Sequence, residues 1–239
     1  MTLTPNQARA VAQVAGRCQG YRTVIVGASA LGFYCDMTWR KTADVDLVIA
    51  IEMEDFPFGI DALEGWQRGN KEHEFCSAEG VKIDIIPAGP ALLVRGQVAW
   101  PSGHTMNLTG IDLALQHAEA HEAHGVEVAV ASPCVIAVLK IAPYLDRPAE
   151  RLRDLAHLAH LIDIYEQDSD RYWDEALDQE DYELKAPYLL GIDIGTIAHD
   201  DHRALIDTFL ERVGDEDSVD HAQMTLRGPP LWTLQVRAL

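Results

Sequence analysis

Two β-branched runs, Thr-Val-Ile-Val at 23–26 and Val-Asp-Leu-Val-Ile-Ala-Ile at 45–51, frame the stretch that most limits the possible fold. Between them lie Gly27-Ala28-Ser29 and a mixed segment that ends in Asp44-Val45-Asp46. Short runs of this kind read as buried strands, so the chain must build a sheet. That sheet must also accommodate two carboxylates at the mouth of its second strand. Alternate residues of a strand share a face, so Asp44 and Asp46 point the same way with Cα atoms ~7 Å apart. Two anions so placed disfavour each other's ionisation unless a cation stands between them.

The rest of the pattern supplies the layers around that pair. Thr4-Pro5 opens a helix by an N-cap hydroxyl and a proline at its first position. Ala8, Val11, Ala12 and Ala15 continue it, and Gly16 and Gly20 end it. A second helix is expected over 29–35 and a third over 60–69. Strands are expected at 73–76 and 81–86 around the Glu79-Gly80 hairpin signal, then at 97–100, 105–108 and 126–131, with a helix over 111–123. From Ser132-Pro133 the pattern turns helical, over 133–145, then past Arg147-Pro148 to 166, then 171–178 and 202–213. Gly228-Pro229-Pro230 reads as irregular. The expected class is α+β: a mixed sheet with flanking helices over 1–131, followed by a helical region over 132–239.

Length and charge narrow the function. The chain of 239 residues makes one large domain or two small ones. Its formal net charge is −19, which argues against a general nucleic-acid binder, because such binding neutralises phosphates with Lys and Arg. A negative surface also suits a basic partner. Cys18, Cys35, Cys76 and Cys134 are scattered without a Cys-x-x-Cys, as expected of reduced thiols in a cytoplasm. The opening MTLTPNQARAVAQ lacks the pattern of a secretory leader. No apolar run approaches the ~18 residues of a membrane span.

The carboxylates suggest a metal. Mg2+, or Mn2+, takes hard oxygen ligands and bridges to substrate phosphates. A third acid, Asp84, sits inside the run Val-Lys-Ile-Asp-Ile-Ile. On a neighbouring antiparallel strand it would lie beside Asp46, as base or as ligand of a second ion, and two such ions can clamp an in-line displacement. Gly27 lets the backbone approach a phosphate, and Ser29 adds a hydroxyl at the start of a helix.

Apolar-Gly-x-Ser followed by Asp-x-Asp on the next strand resembles the nucleotidyltransferase superfamily. Ala28 stands where the strict pattern has Gly or Ser, and Ser29 follows one place later. Arg40-x-Thr42-x-Asp44-Val45-Asp46-Leu47 is similar to the form found in the AbiEii-type toxin-like branch. That resemblance implies metal ligands at Asp44, Asp46 and Asp84, and a nucleoside triphosphate such as ATP as substrate. It also implies a toxin–antitoxin setting, with tRNA as acceptor and an antitoxin protein as partner. A small-molecule acceptor, as in antibiotic-modifying transferases, and an inactive nucleotide- or partner-binding relative are the alternatives.

A second polar cluster interrupts the apolar helices. Lys140 lies within Val135–Ala142, and Asp154 follows Arg151 and Arg153. A lysine there must snorkel, pair or serve a ligand, and spacing alone leaves a salt bridge between two helices and a functional role both open. The resemblance instead places Lys140 near the triphosphate and Asp154 near the active site. Arg40 and Lys82 are further phosphate-binding candidates, each also readable as an ordinary surface cation, the reading preferred for Lys41. His117, His121 and His124 would form one stripe on a helix, which is either a solvated face or a zinc site. Trp39, Trp66 and Trp100 either stack a base or fill the core. No Gly-x-x-x-x-Gly-Lys-Ser/Thr, Gly-x-Ser-x-Gly or His-Glu-x-x-His occurs, which disfavours P-loop kinases, serine hydrolases and zincins.

Overall fold

A computed structural model describes residues 3–36, 44–57, 59–174, 179, 181–228 and 232–239. The chain divides into two compact units, Met1–Ser132 and Pro133–Leu239.

The first unit is built on a seven-stranded mixed sheet with a separate two-stranded ribbon. Its strands are β1 (Thr23–Val26), β2 (Asp44–Ile49), β3 (Gln67–Arg68), β4 (Glu74–Cys76), β5 (Lys82–Pro87), β6 (Gln97–Ala99), β7 (Thr105–Asn107), β8 (Ala118–Ala123) and β9 (Val126–Ala131). The large sheet runs β3-β4-β5-β2-β1-β9-β8, and β6 pairs with β7. Its helices are α1 (Pro5–Arg17), α2 (Gly27–Leu31), α3 (Pro90–Arg95) and α4 (Ile111–Gln116). Thr4 caps α1 in a reciprocal capping box with Gln7.

Register explains why these strands bury one face so completely. Ile25 lies opposite Leu47, Leu47 opposite Ile85, Val45 opposite Ile83, and Ile83 opposite Phe75. All of these side chains are shut off from solvent. The one-residue alternation that gathers them on one side places Asp44, Asp46, Asp84 and Glu74 on the other. Asp44, Asp46 and Asp84 sit where β2 and β5 begin and β1 ends.

The second unit is helical: α5 (Pro133–Asp146), α6 (Leu152–Ile164), α7 (Lys185–Ile197), α8 (Asp200–Gly214), α9 (Val219–Thr225) and α10 (Trp232–Ala238), with short 3-10 turns at Asp170–Trp173 and Tyr182–Leu184. Tyr144 of α5 donates to Asp220 of α9 at 2.5 Å, and Arg212 of α8 holds the other oxygen of that carboxylate. Burial and the Asp220 carboxylate push the Tyr144 hydroxyl pKa up, so it stays a donor. Among the described residues no helix is long and apolar enough to cross a membrane. The four cysteines form no disulfide.

Several sequence expectations need correction. The helix expected over 111–123 stops at Gln116, and residues 118–123 form β8 instead. His124 and Gly125, both at positive φ (52° and 77°), make a tight hairpin that pairs β8 with β9. Pairing along a β-branched partner overrides the helix-favouring Ala and Glu of β8. The histidine stripe is therefore absent: His117 ends α4, His121 meets the Tyr34 hydroxyl at 3.1 Å, and His124 meets the Leu3 carbonyl at 2.9 Å. The helix expected over 60–69 shrinks to one 3-10 turn, Ile60–Ala62, followed by β3, because Gly59 and Gly65 both take positive φ. Strand β5 runs parallel to β2, not antiparallel. Its hairpin partner is β4, and the long return over 50–81 permits the parallel docking. Helices α3, α7, α9 and α10 were not expected.

Candidate active site

The site is assembled by the turn after β1 and the entries of β2 and β5. Asp46 and Asp84 are register partners, and Asp44 lies two residues before Asp46, opposite Lys82. Register partners point to the same side of a sheet, so three carboxylates share one face at the strand ends. The row extends one strand further, because Glu74 of β4 is the partner of Asp84.

Gly27 closes the other side. It takes φ +70°, and a Cβ built on it collides with Asp46 Oδ2 and stands 3.0 Å from Asp46 Cγ. Glycine lets the turn lie this close to the carboxylate, and a side chain here would require Asp46 to shift. Ser29 Oγ donates to the Asp44 carbonyl at 2.8 Å and is buried. Its one proton therefore ties the turn to β2 rather than facing outward. Helix α2 spans five residues, shorter than the 29–35 expectation and too short to add much of a helix dipole.

Asp84 is the most buried of the three acids. Its Oδ1 has no hydrogen-bond partner, and its Oδ2 lies 3.8 Å from His73 Nε2. Burial raises its pKa above the usual carboxylate range. Lys71 and Lys82 oppose that shift, while Asp44 and Glu74 reinforce it. Burial also lowers the His73 pKa, with Lys71 and His104 adding to it, so at neutral pH His73 is a neutral neighbour rather than a counter-ion. Glu74 is held differently. It accepts from the Asn70 N–H at 3.1 Å, which does most to keep it ionised, and it pairs with Lys82 at 3.6 Å.

The donor set is all hard oxygen at the centre, which fits Mg2+ or Mn2+ rather than zinc. An unpartnered buried carboxylate oxygen on Asp84 is the kind of atom a cation would satisfy. The row is open. Among the described residues, no three His, Cys, Asp or Glu side chains are grouped closely enough to hold a metal ion, so Asp44, Asp46 and Asp84 share a face without converging on one point. Mg2+ ordinarily completes its shell with water and substrate phosphates rather than with an all-protein cage.

The other expected site residues are placed as follows. Lys140 of α5 donates to Asp154 Oδ1 of α6 at 2.9 Å, and Arg151 stands 3.9 Å from Asp154 Oδ2. Both side chains of the pair are nearly buried, so the interhelical salt bridge forms within the helical unit. Lys82 is half-exposed and bound to Glu74, at the edge of the acid row. Arg40, Lys41, Thr42 and Trp39 lie outside the described residues. Trp66 donates to Gln13 at 2.9 Å, and Trp100 packs against Phe56 and His73. Both are buried and present no open face to a base.

Sequence reasoning missed His73 and Glu74. The hairpin signal could have found Glu74: it and Asp84 both stand five residues from Glu79, at the centre of that hairpin.

No protein-family model matches the chain, and no curated protein matches it. Among solved structures, it is similar to an antigenic nucleotidyltransferase-like protein from Paracoccidioides brasiliensis, at 16% identity and a TM-score of 0.44 over 69% of this chain and 79% of that one. It is also similar to the antibiotic-resistance factor ANT(2'')-Ia, at 15% identity and a TM-score of 0.40 over 88% of this chain and 94% of that one. Likeness at these scores decides neither family nor activity.

Proposed function

We propose that the chain is a divalent-metal-dependent nucleotidyltransferase that moves a nucleoside monophosphate from a nucleoside triphosphate to an acceptor hydroxyl. The observation that carries this reading is the in-register pair Asp46–Asp84 with Asp44 on the same face, set against a glycine turn that lies directly on the Asp46 carboxylate. Asp44, Asp46 and Asp84 would hold Mg2+ or Mn2+, which when bound supplies charge neutralisation and Lewis acidity at the phosphates. Asp84 would also be the group to accept the proton of the acceptor hydroxyl. The acceptor oxygen forms its bond to the α-phosphorus as the bond to pyrophosphate breaks. Gly27 lets the turn lie against the Asp46 carboxylate, so its backbone would border the triphosphate. Lys82, at the edge of the row, and Arg40 offer positive charge to the phosphates.

The acceptor divides two finer readings. One is a toxin of the AbiEii type, with tRNA as acceptor and an antitoxin as partner. The other is a small-molecule-modifying enzyme. The net charge of −19 favours the second, and a cationic acceptor in particular. Both readings place the protein in the cytoplasm, where nucleoside triphosphates are found.

The test is incubation with each α-labelled nucleoside triphosphate, Mg2+ or Mn2+, and either total RNA or a panel of aminated small molecules. Labelled product formed by the wild type and lost in Asp46→Asn supports the reading. Metal-dependent nucleotide binding without any transfer would favour an inactive relative. Growth arrest on expression, relieved by a co-expressed neighbouring gene, would favour the toxin.

A further inference from the structure

The helical unit carries an exposed aromatic pair that lies outside the residues assigned to the proposed transfer. Trp173 and Tyr182 are large aromatic side chains left 59% and 53% exposed. They come from two separate 3-10 turns, yet their rings stand 5.5 Å apart. Both rest on the buried ring of Tyr172, at 5.4 and 5.3 Å. The Tyr172 hydroxyl donates to the Tyr182 carbonyl at 2.8 Å, so the two turns are pinned together. The first turn is anchored again by Arg171, which makes a two-pronged contact to Asp193 at 2.8 and 2.9 Å. The exposed rings are thus fixed in place, and binding to them freezes little extra motion.

The surroundings decide what such rings would bind. Among the described residues of the two turns the charge is mainly acidic. Asp170, Asp174, Asp181 and Glu183 are exposed beside the rings in sequence. The two cations near them are engaged elsewhere: Arg171 with Asp193, and Lys185 with the Tyr172 carbonyl at 3.3 Å. The result is an aromatic platform set in negative charge. Such a surface rejects anions and aliphatic acids. It suits a planar cation that can lie on an indole or phenol face while its N–H groups reach carboxylates. Arginine does both, whereas a lysine ammonium is a strongly hydrated point charge and stacks less well.

We infer that Trp173 and Tyr182 form a docking surface for an arginine-rich segment of a partner protein. The surface is independent of the carboxylate row, and its failure would leave the proposed transfer intact.

The test uses the full chain and fluorescein-labelled nona-arginine and nona-lysine peptides, followed by fluorescence anisotropy at low and at near-physiological salt. A chain this acidic attracts any polycation, so total binding is not the readout. The readouts are the arginine-over-lysine preference and its dependence on Trp173→Ala, which changes no charge. Because Trp173 is largely exposed, the variant should melt as the wild type does; Trp173→Phe serves as a conservative companion that keeps a ring. Tighter binding of nona-arginine is expected, with Trp173→Ala weakening it by about three- to ten-fold. Trp173→Phe should restore much of the loss, and nona-lysine should be nearly indifferent to either change. Equal affinity for the two peptides, or nona-arginine binding unchanged in Trp173→Ala, would overturn the inference.

Discussion

Replacing Gly27 by alanine tests whether the turn and the carboxylate row form one device. Gly27 and Gly80 share almost the same backbone state, φ +70° and +79°. Alanine at either site bears the left-handed strain of an L-residue, roughly 1–2 kcal/mol. The two sites differ in space. A Cβ at Gly80 meets nothing within 4 Å, whereas at Gly27 it runs into the Asp46 carboxylate. Overpacking of that kind adds about 1–3 kcal/mol. Gly27→Ala is therefore expected to lose roughly 2–5 kcal/mol by urea denaturation, against roughly 1–2 for Gly80→Ala. Function should separate them further. Relieving the collision pushes Asp46 aside, and a displacement of ~1 Å in a catalytic group can lower a rate by ~100-fold. Nucleotide-dependent activity should collapse in Gly27→Ala and survive in Gly80→Ala. Equal stability losses, or full activity in Gly27→Ala, would show that the glycine merely makes a turn.

Two further outcomes follow from the same geometry. The folded-state pKa of Asp84 is raised, so the group favours folding below its unfolded pKa and loses that contribution as pH rises through the folded value. Asp84→Asn should therefore melt higher than the wild type near neutral pH, with the gap closing in acid, and Mg2+ should raise the wild-type melting temperature more than the variant's. A variant that melts lower at every pH would refute this. Lys140 and Asp154 are both nearly buried, and removing one partner of such a pair costs about 3–5 kcal/mol. Lys140→Met alone should destabilise strongly and Lys140→Met with Asp154→Leu much less, as read from a denaturation cycle; strict additivity would show that the pair is not coupled.

The sheet at the site was largely legible because short β-branched runs with polar ends have few alternatives. Thr23–Val26, the start of β2 and the β4–β5 hairpin could be read from residue type, and the alternation that buries Leu47 and Ile83 also set the common face of the acids. Strand β8 was not legible, since Ala-Glu-Ala-His-Glu-Ala satisfies a helix locally and only pairing with β9 decides otherwise. Helix α7 was hidden by Pro187, Gly191 and Gly195, which locally signal a break. Gly191 is there because a side chain would strike the Leu239 carbonyl, a contact from far along the chain. Ser29 was readable as a turn hydroxyl, but not that its proton would be taken by the Asp44 carbonyl. Lys140 was open between two uses in the sequence, and the fold displays its salt bridge to Asp154.

Calorimetric titration of the full chain with a non-hydrolysable nucleoside triphosphate analogue, with and without Mn2+, bears most directly on the carboxylate row. Binding that requires Mn2+ in the wild type and disappears in Asp46→Asn and Asp84→Asn, with both variants still folded by circular dichroism, is expected. Metal-independent binding, or Mn2+-dependent binding of wild-type strength in both variants, would contradict it.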